Sequence, residues 1–248
     1  MLDPKRLLTD FLGGNAGNMW DQAAGKARSA TANVDRKQVG TFAAGAAAGS
    51  IVGLLLGSKK AKKIGGNLLT YGGAAVLGGL AYKAWQNYQG NKQPAATGAP
   101  AEVLPPPTDS PFNATVTVAA DGKPFALALV RAMIAAAKAD GHIDAAEQKS
   151  LFERIETLGL DAEAKAFVFD ELSRPTDLNA IAALPQGQEQ AAEIWLVSRL
   201  AIDPDDVREK AYLTALGAKL DLPPQLLEHL ESQAVAALPA PDASRQSA

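Results

Sequence analysis

The chain has 248 residues, 47% of them hydrophobic but only 6% aromatic, and no Cys, which excludes disulfide scaffolds, thiolate metal sites and cysteine nucleophiles. Its formal charge of −3 conceals two unlike parts: residues 1–100 hold 12 Lys and Arg against 4 Asp and Glu, a net of +8, and residues 101–248 hold 12 against 23, a net of −11. The acidic part speaks against a nucleic-acid partner, because phosphates demand a basic surface, and the length suits one ordinary domain with an appendage or two small domains.

Residues 1–37 read as an amphipathic, flexible N-terminal segment. Leu2, Leu7, Leu8, Phe11 and Leu12 follow a short helical pattern, Asp3-Pro4 supplies a cap and first turn, and Gly13-Gly14 breaks it. The segment lacks the basic start and apolar core of a secretory signal.

Residues 38–88 contain two uncharged runs of 19 residues, Val39 to Gly57 and Ile64 to Tyr82, separated by Lys59, Lys60, Lys62 and Lys63. Each run, wound as a helix, spans roughly 28 Å, near the thickness of a bilayer's hydrocarbon. Gly45, Gly49, Gly53 and Gly57 recur every fourth residue, forming one bare stripe suited to close helix contact in lipid, where small residues favour association. Gly65-Gly66, Gly72-Gly73 and Gly78-Gly79 repeat about every seventh. Tyr82, Trp85 and Tyr88, beside Lys83, suit an interfacial anchor. The pattern predicts a glycine-rich membrane helical hairpin with lipid as a partner and self-association through the glycine stripe. Four Lys in the turn against six basic residues on the flanks place both termini in the cytoplasm.

Residues 89–122 collect Pro94, Pro100, Pro105, Pro106, Pro107 and Pro111, and read as a disordered Pro-rich linker. Over residues 123–238 apolar residues return at helical spacing, for example Phe125, Leu129 and Met133; Ile194, Trp195, Val197 and Leu200; Leu226, Leu227 and Leu230. Breakers at Asp140-Gly141, Gly159, Pro175, Pro185, Pro204 and Pro223-Pro224 divide the region into about seven helices. The expected fold class is all-α. Residues 239–248 read as a disordered tail.

An acidic turn is written twice in the helical region. Asp140, Asp144 and Glu147 precede Leu151, and Asp203, Asp206 and Glu209 precede Leu213. Carboxylates at these positions cap helices and complement their dipoles. They also supply hard oxygen ligands, so a site for Ca2+ or another hard divalent cation assembled from both turns is a second reading. The first turn matches only the later part of a calcium-binding EF-hand loop, because the loop's first and third positions fall on Ala136 and Lys138.

The Asp140-Gly141-His142-Ile143-Asp144 turn with Glu147 resembles the TerB-like domain of tellurite-resistance-associated proteins. Leu54-Leu55-Leu56-Gly57-Ser58-Lys59-Lys60, Tyr71-Gly72-Gly73 and Gly79-Leu80-Ala81-Tyr82-Lys83-Ala84-Trp85-Gln86 resemble the bacterial inner-membrane family typified by YebE, which joins such a segment to a TerB-like domain. The resemblance covers about residues 40–90 and 124–235. It implies an inner-membrane protein without known enzymatic activity, associated with metal or envelope stress, with Asp140, Asp144 and Glu147 as the matching positions for calcium ligands; the lysine and arginine count above sets the C-terminal domain in the cytoplasm. Tellurite chemistry itself has no support, since no Cys and only three Met are present.

No enzyme is expected. His142 and His229 are the only histidines, too few for a histidine-built zinc site, and the glycines lack the Gly-Lys-Ser/Thr ending of a phosphate loop. The predicted function is a membrane-tethered, TerB-like binding or scaffolding module with a protein partner of unknown identity. The alternative is a glycine-zipper pore or membrane-remodelling assembly regulated by the acidic domain.

Overall fold

Between Gly187 and Ala201 the chain carries apolar residues on every side of a helical turn, and such a helix is stable only when it is enclosed. A computed structural model describes residues 2–11, 74–94, 106–139, 161–202 and 207–237, and encloses it. The described residues form eight helices: α1 (Pro4–Phe11), α2 (Ala74–Gln89), α3 (Phe125–Ala137), α4 (Ala162–Ser173), α5 (Leu178–Ala182), α6 (Gln188–Leu200), α7 (Val207–Lys219) and α8 (Pro224–Ala237). The pairing of Val118 with Pro124 is an isolated bridge, and the described residues contain no strand. Every residue of α6 from Gln190 to Leu200 is buried, with α2, α3, α7 and α8 packed around it.

Local chemistry sets the helix ends. Asp3 Oδ1 accepts from the amides of Lys5 and Arg6 at 3.1 and 3.0 Å at the start of α1. Asp161 Oδ1 does the same for Ala164 at 2.8 Å on α4, and Asp177 Oδ1 for Asn179 and Ala180 on α5. Helices α2 and α7 stop alike. Asn91 and Asp221 take positive φ of 50° and 51°, and the following amides reach back five residues, Lys92 to Asn87 and Leu222 to Gly217. This pattern satisfies the last carbonyls of both helices.

Helix α2 corrects the membrane hairpin. Leu77, Leu80, Ala81 and Ala84 are 0% exposed, and the helix lies against α8 and α6. Its apolar face is covered by protein, each buried leucine worth about 1.5–3 kcal/mol relative to exposure. At Gly78 an added Cβ would stand 2.3 Å from the carbonyl oxygen of Phe112, so this glycine permits a close approach of chain to helix. Tyr82 and Trp85 meet the Phe112 ring at 5.7 and 6.1 Å between centroids, where a headgroup anchor was expected. Phe112, from the Pro-rich stretch, is 2% exposed.

Among the described residues no helix is long and apolar enough to cross a membrane. The hairpin, the membrane tether, the lipid partner and the inner-membrane location all rest on such a span, and so does the pore or remodelling alternative; these readings fall with it. The first uncharged run and its glycines Gly45, Gly49, Gly53 and Gly57 lie outside the described residues, and their self-association loses its premise of a lipid-embedded stripe.

Candidate functional site

Of the six acidic residues singled out above, Asp140, Asp144, Glu147, Asp203 and Asp206 lie outside the described residues, as does His142. Glu209 occupies the first turn of α7, where its charge complements the helix dipole, and is 2% exposed. His229 is buried in α8. Among the described residues no group of three or more His, Cys, Asp or Glu is placed to hold a metal ion.

The two EF-hand positions that lacked ligands have explicit structural roles. Ala136 lies inside α3 and is 0% exposed. Just past the end of α3, the Lys138 ammonium donates to the carbonyls of Leu172 and Glu171 at 2.7 and 3.4 Å and to that of Arg174. These are the terminal carbonyls of α4, and a cation there satisfies them and complements the negative end of the dipole. Burial pushes the Lys138 pKa down, opposed by the Glu171 carboxylate.

Lys138 stands at one side of a cleft of about 410 Å³ bounded by α3, α4, α5 and the chain that joins α4 to α5. Ile134, Ala135, Ile181 and Leu184 supply apolar walls, and Arg131, Glu171, Arg174 and Asp177 supply charge. Arg131 is the one charged side chain of α3. Its Nε donates to Glu171 Oε1 at 2.9 Å, Nη1 faces Asp121 Oδ2 at 3.4 Å, and its guanidinium lies 5.6 Å from the Phe167 ring centroid. Arg174 pairs with Asp170 at 2.5 Å and with Glu171 at 3.2 Å. The arrangement offers a small apolar recess inside a charged rim whose side chains are already held in place.

These residues escape a reading of the sequence because they come from two separate stretches, Arg131 to Lys138 and Glu171 to Leu184, and no motif joins the two. One signal is present: Arg131, midway along an otherwise apolar helix, and Lys138, just past its end, are seven residues apart and hence on one face.

A second polar feature lies in α6 itself. Glu193 is 0% exposed and neither carboxylate oxygen has a hydrogen-bond partner. Burial pushes its pKa well above the usual carboxylate range. Arg199, by contrast, grips Glu231 of α8 through Nε and Nη2 at 2.7 and 2.8 Å, a two-point pairing that fixes the α6–α8 register.

Comparison with known proteins adds a family. The model for the family described as a protein of unknown function (DUF533) matches residues 41–234. A curated relative, an uncharacterized protein in the ampR 5′ region of Yersinia enterocolitica, is 31% identical over 103 residues, covering 42% of this chain and 74% of that protein. No solved structure matches the chain.

Proposed function

The chain belongs to the DUF533 family, and we propose that it is a helical binding or scaffolding module of the TerB-like kind, related to the family typified by YebE, that acts by holding a partner protein rather than by catalysis. The observation that carries this reading is the cleft at α3, α4 and α5, a recess of about 410 Å³ with apolar walls and a charged rim. Its size admits an apolar side chain of a partner, and its rim can order the flanking peptide.

The state of the charged groups supports binding over chemistry. Arg131 and Glu171 pair with each other, Arg174 with Asp170 and Glu171, Lys138 with backbone carbonyls, and Asp177 with the amides that open α5. A general acid or base must reach a substrate proton, whereas these groups are committed to holding the walls.

Peptide-display selection on the intact chain tests the proposal, with Ala180→Trp as the counter-target. Ala180 is exposed and lines the cleft, so the indole fills the recess without entering the core. Selected peptides should carry an apolar anchor and lose at least tenfold in affinity for Ala180→Trp. Binders indifferent to the substitution would sink the assignment of the recess as the recognition site.

A further inference from the structure

Helix α1 is eight residues long, and an isolated helix of that length does not persist in water. It exists because it is docked. Leu7 and Leu8 are 1% and 0% exposed and Leu2 packs on the same core, while Lys5 and Arg6 stay at the surface. The helix lies mainly on α3 with a smaller contact to α2. An amphipathic helix seated by a few apolar anchors on other helices is a common form of peptide recognition. Here the recognised peptide belongs to the chain itself.

The connection makes this contact unusual. Sixty-two residues separate Phe11, the end of α1, from Ala74, the start of α2. Among the described residues no element lies between the two in the chain, so α1 is held to the bundle by its few apolar anchors. A second copy presents the same groove and the same Leu2, Leu7 and Leu8, so contacts made within one chain are available unchanged between two. Exchange of an identical element is a low-cost route to a closed twofold dimer.

We propose that the groove on α3 and α2 is a docking site for an amphipathic helix, and that its occupant in a dimer is the α1 of a second copy. Within a single chain α1 plugs its own groove; at high local concentration the plugs cross over, each filling the other's groove. The surface is separate from the cleft at α3, α4 and α5, so the loss of one site leaves the other in place.

The test uses the full chain carrying Leu7→Asp and Leu8→Asp together, which opens the groove, and a labelled synthetic peptide of residues 1–12, which reproduces a second copy's α1. The variant should bind the peptide with saturation at one per chain, and at least tenfold more tightly than the unaltered chain, whose groove is filled. A peptide with the same two substitutions should bind at least tenfold more weakly. In sedimentation over a rising concentration series, the unaltered chain should form a dimer that the variant does not. A folded variant that ignores the peptide overturns the groove, and an unaltered chain monomeric at every concentration overturns the exchange. If the variant's circular dichroism shows that it has not folded, a full chain with a protease site inserted between Gly13 and Gly14 takes its place. After cleavage, uptake of labelled peptide supports the proposal, and retention of the original helix over days against excess peptide overturns it.

Discussion

Two flanks of the bundle are built to different tolerances. Toward α2 and α8 the packing is closed: Leu77, Leu80, Ala81, Leu226 and Leu230 are 0% exposed, and Gly78 leaves no room for a Cβ. Where α3, α4 and α5 meet they leave a recess of about 410 Å³ and hold its walls with ion pairs and a lysine cap. A closely packed interior resists change of even one methylene, whereas an open rim tolerates new atoms. On the function proposed above, the first flank carries stability and the second recognition.

The largest effect should come from Leu80→Ala on the closed flank, a loss of about 2–5 kcal/mol in urea unfolding. An unchanged midpoint would mean that α2 is not part of the cooperative core. Gly78→Val follows, at about 1–3 kcal/mol, because the new Cβ meets the Phe112 carbonyl; a neutral result would show that the chain near Phe112 can move aside. On the open flank Lys138→Met should cost about 1–2 kcal/mol through the lost contacts to the end of α4. If thermal unfolding does not register this change, the ammonium is not holding that end.

Glu193 yields a pH test. Its folded pKa is raised by burial, so its contribution is fully present below the unfolded carboxylate value of about 4.3 and is lost as pH rises from there through the raised folded value. Glu193→Gln should therefore raise the melting temperature at pH 7.5 and change it little at pH 4, flattening the pH profile. A profile parallel to that of the unaltered chain would mean that the carboxyl is solvated in the folded state. The smallest effect on stability belongs to Ala180→Trp, within about 0.5 kcal/mol, although it should abolish recognition at the cleft; a large loss of stability would show that the recess belongs to the core.

Helical periodicity made the all-α architecture legible, because Leu129 and Met133 of α3, Trp195 and Leu200 of α6, and Leu226 and Leu230 of α8 repeat at the spacing that their burial requires. The role of α2 was not legible. A run rich in Gly, Ala and Leu is apolar on all sides, and this pattern suits a protein interior as well as lipid. What decides between them is the partner surface on α8 and α6, which is more than one hundred residues away in sequence. Phe112, one aromatic among prolines, was the local hint that part of the Pro-rich stretch packs. The cleft was illegible for a related reason: no motif spans Arg131, Glu171 and Leu184, and only folding places them together.

Helix α2 is an integral helix of the bundle, packed on α8 and α6. Native-state hydrogen exchange, followed amide by amide in α2 and α6 with and without lipid vesicles, tests it most directly. In an integral α2 the amides of Leu80 to Trp85 are as protected as those of Ile194 to Val197, both open with the free energy of global unfolding, and vesicles change neither. Rapid exchange in α2 while α6 stays protected, or protection of α2 that appears only with lipid, would contradict it.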